Sequence, residues 1–149
     1  LRRNQVSQME SFLTEVLNWS RLNFMTVNTS KTKELIIGSL RKDPPPALTV
    51  GDNTVDRVAS YKLLGINIDD RLRWDSHVGT ICSKAASRLY FLKQLKRSGL
   101  SIDDLTLFYQ TVIRPVLEYA GPAWHTSLTK GQSNQIETIQ KRAHNARSV

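Results

Sequence analysis

Downstream of Trp74 the apolar residues of this 149-residue chain recur every three or four positions. Val78, Ile81, Cys82, Ala85, Leu89 and Leu92 fall on one side only if the backbone is an α-helix. Asp75 is the expected N-cap, and Ser98-Gly99 supplies the stop. Ser101 and Asp104 make a variant capping box for a second helix with the stripe Leu105, Phe108, Tyr109, Val112 and Val116. Pro115 lacks an N–H and is expected to kink that helix, and Gly121-Pro122 to end it. A last helix is predicted from Gly131 to Arg147, with Ile136, Ile139 and Ala143 inward.

Upstream of Trp74 the pattern is mixed. Val6, Met9, Phe12, Leu13, Val16 and Leu17 predict an amphipathic helix over roughly Asn4 to Asn23, extended on its apolar side by Trp19 and Leu22. Lys31 to Leu40 reads as a strand leaving at Gly38, and Asp43 to Ala47, with three consecutive prolines, as a stiff loop. Leu48 to Val58 reads as a tight hairpin around Gly51-Asp52-Asn53. Tyr61 to Ile68 reads as the best strand, bent at Gly65, with Tyr61, Leu63, Gly65 and Asn67 on one face and Lys62, Leu64, Ile66 and Ile68 on the other. The expected fold is α+β: an N-terminal helix and small antiparallel β region over 1–72, then an all-helical bundle over 73–149, with no internal repeat.

Charge narrows the function. Lys and Arg number 21 against 13 Asp and Glu, a net charge of +8, which favours a polyanionic partner. From Ser76 to Ile102 no acid occurs, whereas Lys84, Arg88, Lys93, Lys96 and Arg97 do. On a helix Lys84 and Arg88 flank one side of the apolar stripe and Lys93 and Arg97 the other, a one-signed arrangement suited to phosphates. An ordinary solvated helix would carry some Glu to pair with its lysines. The single cysteine, Cys82, excludes an internal disulfide, and His77, His125 and His144 stand at no metal-ligand spacing from one another. No apolar run approaches the roughly 20 residues of a membrane helix. No secretory signal precedes Arg2 and Arg3, so an intracellular location, nuclear or cytoplasmic and not secreted, is expected. The first residue is Leu1 rather than Met, and the sequence is expected to be a piece of a longer chain.

Asp69-Asp70, at the end of the best strand, invites comparison with metal-binding acids of polymerases. Neighbouring side chains of a strand point to opposite faces, and such sites take acids from separate strands. The pair is therefore expected to serve a turn. Asp103-Asp104 sits in a first helical turn, where acids offset the helix dipole. No catalytic residue and no metal ligand is assigned.

Five segments in order, "NWSRLNFMTVNTSKTKELIIG", "LTVGDNTVDRVASYKLLGINIDDRLRWDSHV", "RLYFLKQLKRSGL", "FYQTVIRPVLEYAGPAWH" and "IETIQKRA", resemble the C-terminal part of the reverse transcriptase of non-LTR (LINE-like, jockey-type) retrotransposons. The resemblance covers nearly the whole chain. It implies that residues 1–72 are the edge of the polymerase palm, including the primer-grip hairpin, and 73–149 the thumb that holds the primer–template duplex. The family's aromatic-x-Asp-Asp box has no counterpart here: Asn67 stands two residues before Asp69. The chain alone is thus expected not to polymerise, and the Mg2+ of the intact enzyme to be bound elsewhere. By the same resemblance Lys31, with Lys33 as the near alternative, lies near the incoming nucleotide's phosphates. Leu63-Leu64-Gly65 matches the primer grip, with Gly65 approaching the primer end, and Lys62 contacts a phosphate. The implied partners are an RNA–DNA or DNA duplex and the palm and fingers of the same polyprotein. Trp74 and Trp124 are expected to pack rather than to stack on bases. Two rivals stand beside this reading: a fragment that binds nucleic acid without sequence preference, and a vestigial interaction protein whose exposed first-helix stripe self-associates.

Overall fold

The computed structural model describes residues 6–147, which fall into two compact units divided between Arg73 and Trp74. In the first unit, helix α1 runs Val6–Leu22; Asn4, its expected start, lies outside the described residues. Its C-terminus closes with the Met25 N–H on the Ser20 carbonyl and the Phe24 N–H on that of Arg21, with Phe24 in the left-handed region at φ 56°. The apolar stripe is mostly exposed: Met9, Phe12, Trp19 and Leu22 face solvent, while among the described residues of the helix Leu13, Leu17 and Ser20 turn inward.

The strands are short. β1 (Lys33–Glu34) is far shorter than the predicted Lys31 to Leu40, because Gly38, at φ 84°, opens a 3-10 turn, Gly38–Arg41. β2 (Thr49–Val50) and β3 (Asn53–Thr54) form the expected hairpin. β4 (Asp56–Arg57) pairs with β1 in parallel, a ladder absent from the expected antiparallel set. Residues 35–55 supply the long crossover that parallel pairing demands. Its register, Lys33 opposite Asp56 and Glu34 opposite Arg57, is pinned by ion pairs of 2.6 and 2.7 Å. Arg57 also donates to the Pro45 carbonyl at 2.8 Å, fastening the proline loop.

Tyr61 to Ile68 is not one bent strand. β5 (Ser60–Leu63) and β6 (Ile66–Asp69) pair antiparallel across a two-residue turn in which Leu64 and Gly65 have φ 46° and 88°. Positive φ at both positions is the hairpin turn that matches strand twist. The reversal corrects the predicted faces: Tyr61, Leu63, Ile66 and Ile68 share one side, and Lys62 and Asn67 the other.

In the second unit α2 spans Asp75–Arg97 and buries Val78, Ile81, Ala85, Leu89 and Leu92. Trp74, not Asp75, occupies the N-cap position. Asp75 instead accepts from Gln132 Nε2 at 2.8 Å, and Gln132 closes a capping box with Thr129 at the start of α6 (Lys130–Arg147). α6 packs along α2 through Ile136, Ile139 and Ala143. Between them lie α3 (Ile102–Phe108), capped by Ser101 as predicted, a π-helical stretch at Tyr109–Ile113, α4 (Arg114–Glu118) and α5 (Gly121–Trp124). Gly121-Pro122 thus begins a short helix rather than ending a long one. The π stretch is where Pro115 exerts its effect: the Arg114 N–H reaches back to the Tyr109 carbonyl. The extra residue turns the stripe by about 100°, moving full burial from Val112 and Val116 to Ile113 and Leu117.

His77 is buried with its ring 6.2 Å from that of Trp74 and 5.1 Å from that of Trp124. Trp124 Nε1 donates to the Tyr119 carbonyl. Burial, with the Lys84 charge as a second cause, holds the His77 imidazole below its ordinary value. The unfolded chain then binds the extra proton first, so stability is full above about pH 6.5 and falls with acidification between that value and the lowered one. Urea midpoints measured from pH 8 to 5 are expected to fall below pH 6.5, at most about 1.4 kcal/mol per pH unit, and His77→Gln should flatten that limb.

Candidate nucleic-acid interface

The predicted contact residues fall into two groups, one on each unit. Lys31, Lys62, Leu64 and Gly65 lie in the first unit, and all are exposed. The Lys31 N–H is held by Asn28 Oδ1 at 3.1 Å in a turn that leaves the lysine at its rim. Lys33, the near alternative, is the residue bound to Asp56. Lys62, Leu64 and Gly65 come together at the β5–β6 tip, where Leu64 is 82% exposed. An apolar, exposed, non-glycine residue in left-handed geometry carries a steric cost that gains nothing from burial.

Lys84, Arg88, Lys93, Lys96 and Arg97 all project from α2. Lys84, Lys93, Lys96 and Arg97 are exposed. Arg88 is half-buried, and its Nη1 donates to the Val112 carbonyl, bracing α2 against the π stretch. At about 100° per residue, the Lys84–Arg88 row and the Lys93–Arg97 row leave the helix roughly 180° apart. Between them the solvent side carries Thr80, Ser83, Ser87, Gln94 and two aromatics, Tyr90 and Phe91. These rings are 59% and 58% exposed, with centroids 5.7 Å apart and edge to face. Sequence reasoning overlooked the pair, although the positions of Leu89 and Leu92 in the buried stripe already place 90 and 91 opposite it.

Asp69 and Asp70 are engaged in structure. Asp69 Oδ1 accepts the Arg71 and Arg73 backbone N–H groups at 3.0 and 2.7 Å, and Asp70 pairs with Arg41 at 2.8 Å. This is the turn expected of them. Among the described residues no three His, Cys, Asp or Glu lie together so as to hold a metal ion, and no helix is long and apolar enough to cross a membrane.

The comparisons with known proteins bear on this geometry. The sequence model of one family, described as alkylated DNA repair protein alkB homolog 8, N-terminal, matches residues 74–114, from Trp74 through the π stretch. Over 137 residues the chain is 25% identical to a probable RNA-directed DNA polymerase from transposon X-element of Drosophila melanogaster, covering 90% of this chain and 15% of the relative. It is 23% identical over 139 residues to the RNA-directed DNA polymerase from mobile element jockey of Drosophila funebris, covering 89% and 15%. A probable RNA-directed DNA polymerase from transposon BS of Drosophila melanogaster is 23% identical over 141 residues, covering 93% and 16%. No solved structure gives a significant match. Relatedness to retrotransposon RNA-directed DNA polymerases therefore runs through about nine-tenths of the chain, while the chain spans only about 15% of the relatives it matches.

The turn geometry makes one stability prediction. Leu64→Asn, which gives the turn the Asn-Gly pair that its φ values favour, should stabilise the hairpin by about 1 kcal/mol. The urea midpoint of the transition that includes the first unit is expected to rise.

Proposed function

We propose that this chain holds the primer–template duplex for a retrotransposon RNA-directed DNA polymerase, with the helical unit as its thumb and the β5–β6 hairpin as its primer grip. The observation that carries the reading is α2. Beyond Asp75 it bears no acid, and its exposed Lys84, Lys93 and Arg97 border a ridge of small hydroxyls and aromatics. Lys84 on one flank of the ridge and Lys93 and Arg97 on the other suit a helix lying along a groove, with a phosphate backbone on either side. Contacts of this kind give affinity without sequence preference. The names of the relatives support the reading, since each is called an RNA-directed DNA polymerase. In this proposal Lys84, Lys93, Lys96 and Arg97 meet phosphates, Arg88 keeps α2 in place, and Lys62, Leu64 and Gly65 meet the primer. Lys31 stands near nucleotide phosphates.

The acids that invite comparison with a metal site are otherwise engaged. Asp69 and Asp70 are taken by the turn and by Arg41, and Asp104 accepts the Ser101 hydroxyl at 2.6 Å. Metal binding is therefore assigned to parts of the polymerase outside this chain, and the exposed side of α1, with Met9, Phe12 and Trp19, to contact with those parts.

The test is substitution on α2. Lys93→Ala with Arg97→Ala should weaken binding to an RNA–DNA hybrid equally for unrelated sequences and lower the log–log salt slope by about 2. Arg88→Ala should lower stability by about 1–3 kcal/mol, because a charged hydrogen bond to a carbonyl is lost. Unchanged hybrid affinity and slope in the Lys93/Arg97 variant would remove α2 from the interface.

A further inference from the structure

A second basic site stands apart from α2. The π stretch, α4 and the C-terminal half of α6 border a shallow, open cleft of about 460 Å³. It is lined by Arg114, Lys141, Arg147 and His144, with Glu118 as its one acid. Glu118 is compensated: Arg114 Nε donates to both its carboxylate oxygens, at 2.8 and 3.0 Å. Lys141 contacts Glu137 at 3.3 Å across one helical turn. Both pairs are exposed, and ion pairs of that kind contribute little, so they rearrange readily when a phosphate arrives.

The cleft wall also has a flat, layered element. The Arg147 guanidinium lies over the Tyr109 ring, 4.1 Å from its centroid, and the same arginine is steadied by Nε donating to the Ala143 carbonyl at 3.2 Å. Unstacked bases settle on guanidinium planes and aromatic rings. Gln140 and Asn145 line the cleft with amides, which offer both donors and acceptors to a base edge. Cations for a phosphate, a planar stack for a base and amides for its edge are the needs of one unpaired nucleotide. A duplex, with its bases stacked inside, would use only the cations.

We infer that the cleft between the π stretch, α4 and α6 binds single-stranded nucleic acid, seating one nucleotide against the Tyr109–Arg147 stack with its phosphate on Lys141 and Arg114. This site goes beyond duplex binding by α2 and does not depend on it.

The experiment uses the whole chain and two labelled probes, a short oligouridylate and an RNA–DNA hybrid, followed by fluorescence anisotropy. Lys141→Ala with Arg147→Ala should weaken oligouridylate binding about tenfold, the scale of one lost stacking contact with its charge, and leave hybrid affinity unchanged. Lys93→Ala with Arg97→Ala should do the reverse. Photocross-linking of a 4-thiouridine oligomer to the unaltered chain, followed by peptide mapping, should mark residues 109–118 and 140–147, a readout that needs no variant. The inference is overturned if oligouridylate does not bind, if the cleft variant weakens both probes equally, or if cross-links fall on α2 alone. Failure of hybrid binding with oligouridylate binding intact would instead contradict the proposed duplex role.

Discussion

Burial of one side of α2 is the constraint on which the helical unit depends. Val78, Ile81, Ala85, Leu89 and Leu92 can be dry together only if α6, α4 and the π stretch close over them. That burial fixes the rotation of α2 about its axis, which in turn decides what solvent meets. Lys84 and Arg88 must leave along one flank, Lys93 and Arg97 along the other, and Tyr90 and Phe91 between them. The charge pattern is thus presented by the core. Arg88 joins the two roles, being part of the basic row yet bonded to the Val112 carbonyl inside the bundle.

What could be read in the sequence follows from how local its causes are. α2, with its stop at Ser98, and the Ser101 cap rest on contacts within a few residues, and they were legible. So was the structural use of Asp69-Asp70, because adjacent carboxylates in a strand do not converge. The π stretch was not legible. Pro115 signals trouble, but whether the helix kinks or inserts a residue depends on what Ile113 and Leu117 can bury, which is a tertiary matter. The Leu64-Gly65 turn looks like a bend within one strand from sequence alone, because leucine is a poor marker of positive φ. The β1–β4 ladder was out of reach, since two parallel residues joined across residues 35–55 leave no periodic trace and are specified by the Lys33–Asp56 and Glu34–Arg57 pairs.

For the candidate site, residue types were legible and their employment was not. The resemblance picks out Lys31, with Lys33 as the near alternative, and the structure engages Lys33 in the ion pair to Asp56. The cleft around Tyr109 and Arg147 joins residues far apart in the chain, and nothing in its local sequence marks it. The two units differ in character as well. The helical unit has a continuous apolar core, whereas the first relies on short ladders, ion pairs and the fastened proline loop, and it leaves much of α1 exposed.

The proposed role of α2 is to grip a duplex through phosphates. The most direct measurement is the affinity of the chain for two RNA–DNA hybrids of unrelated sequence, titrated across salt. Four phosphate contacts, from Lys84, Lys93, Lys96 and Arg97, predict a log–log slope of roughly −3 to −4, the same for both hybrids. A slope near zero, or a marked preference for one sequence, would contradict it.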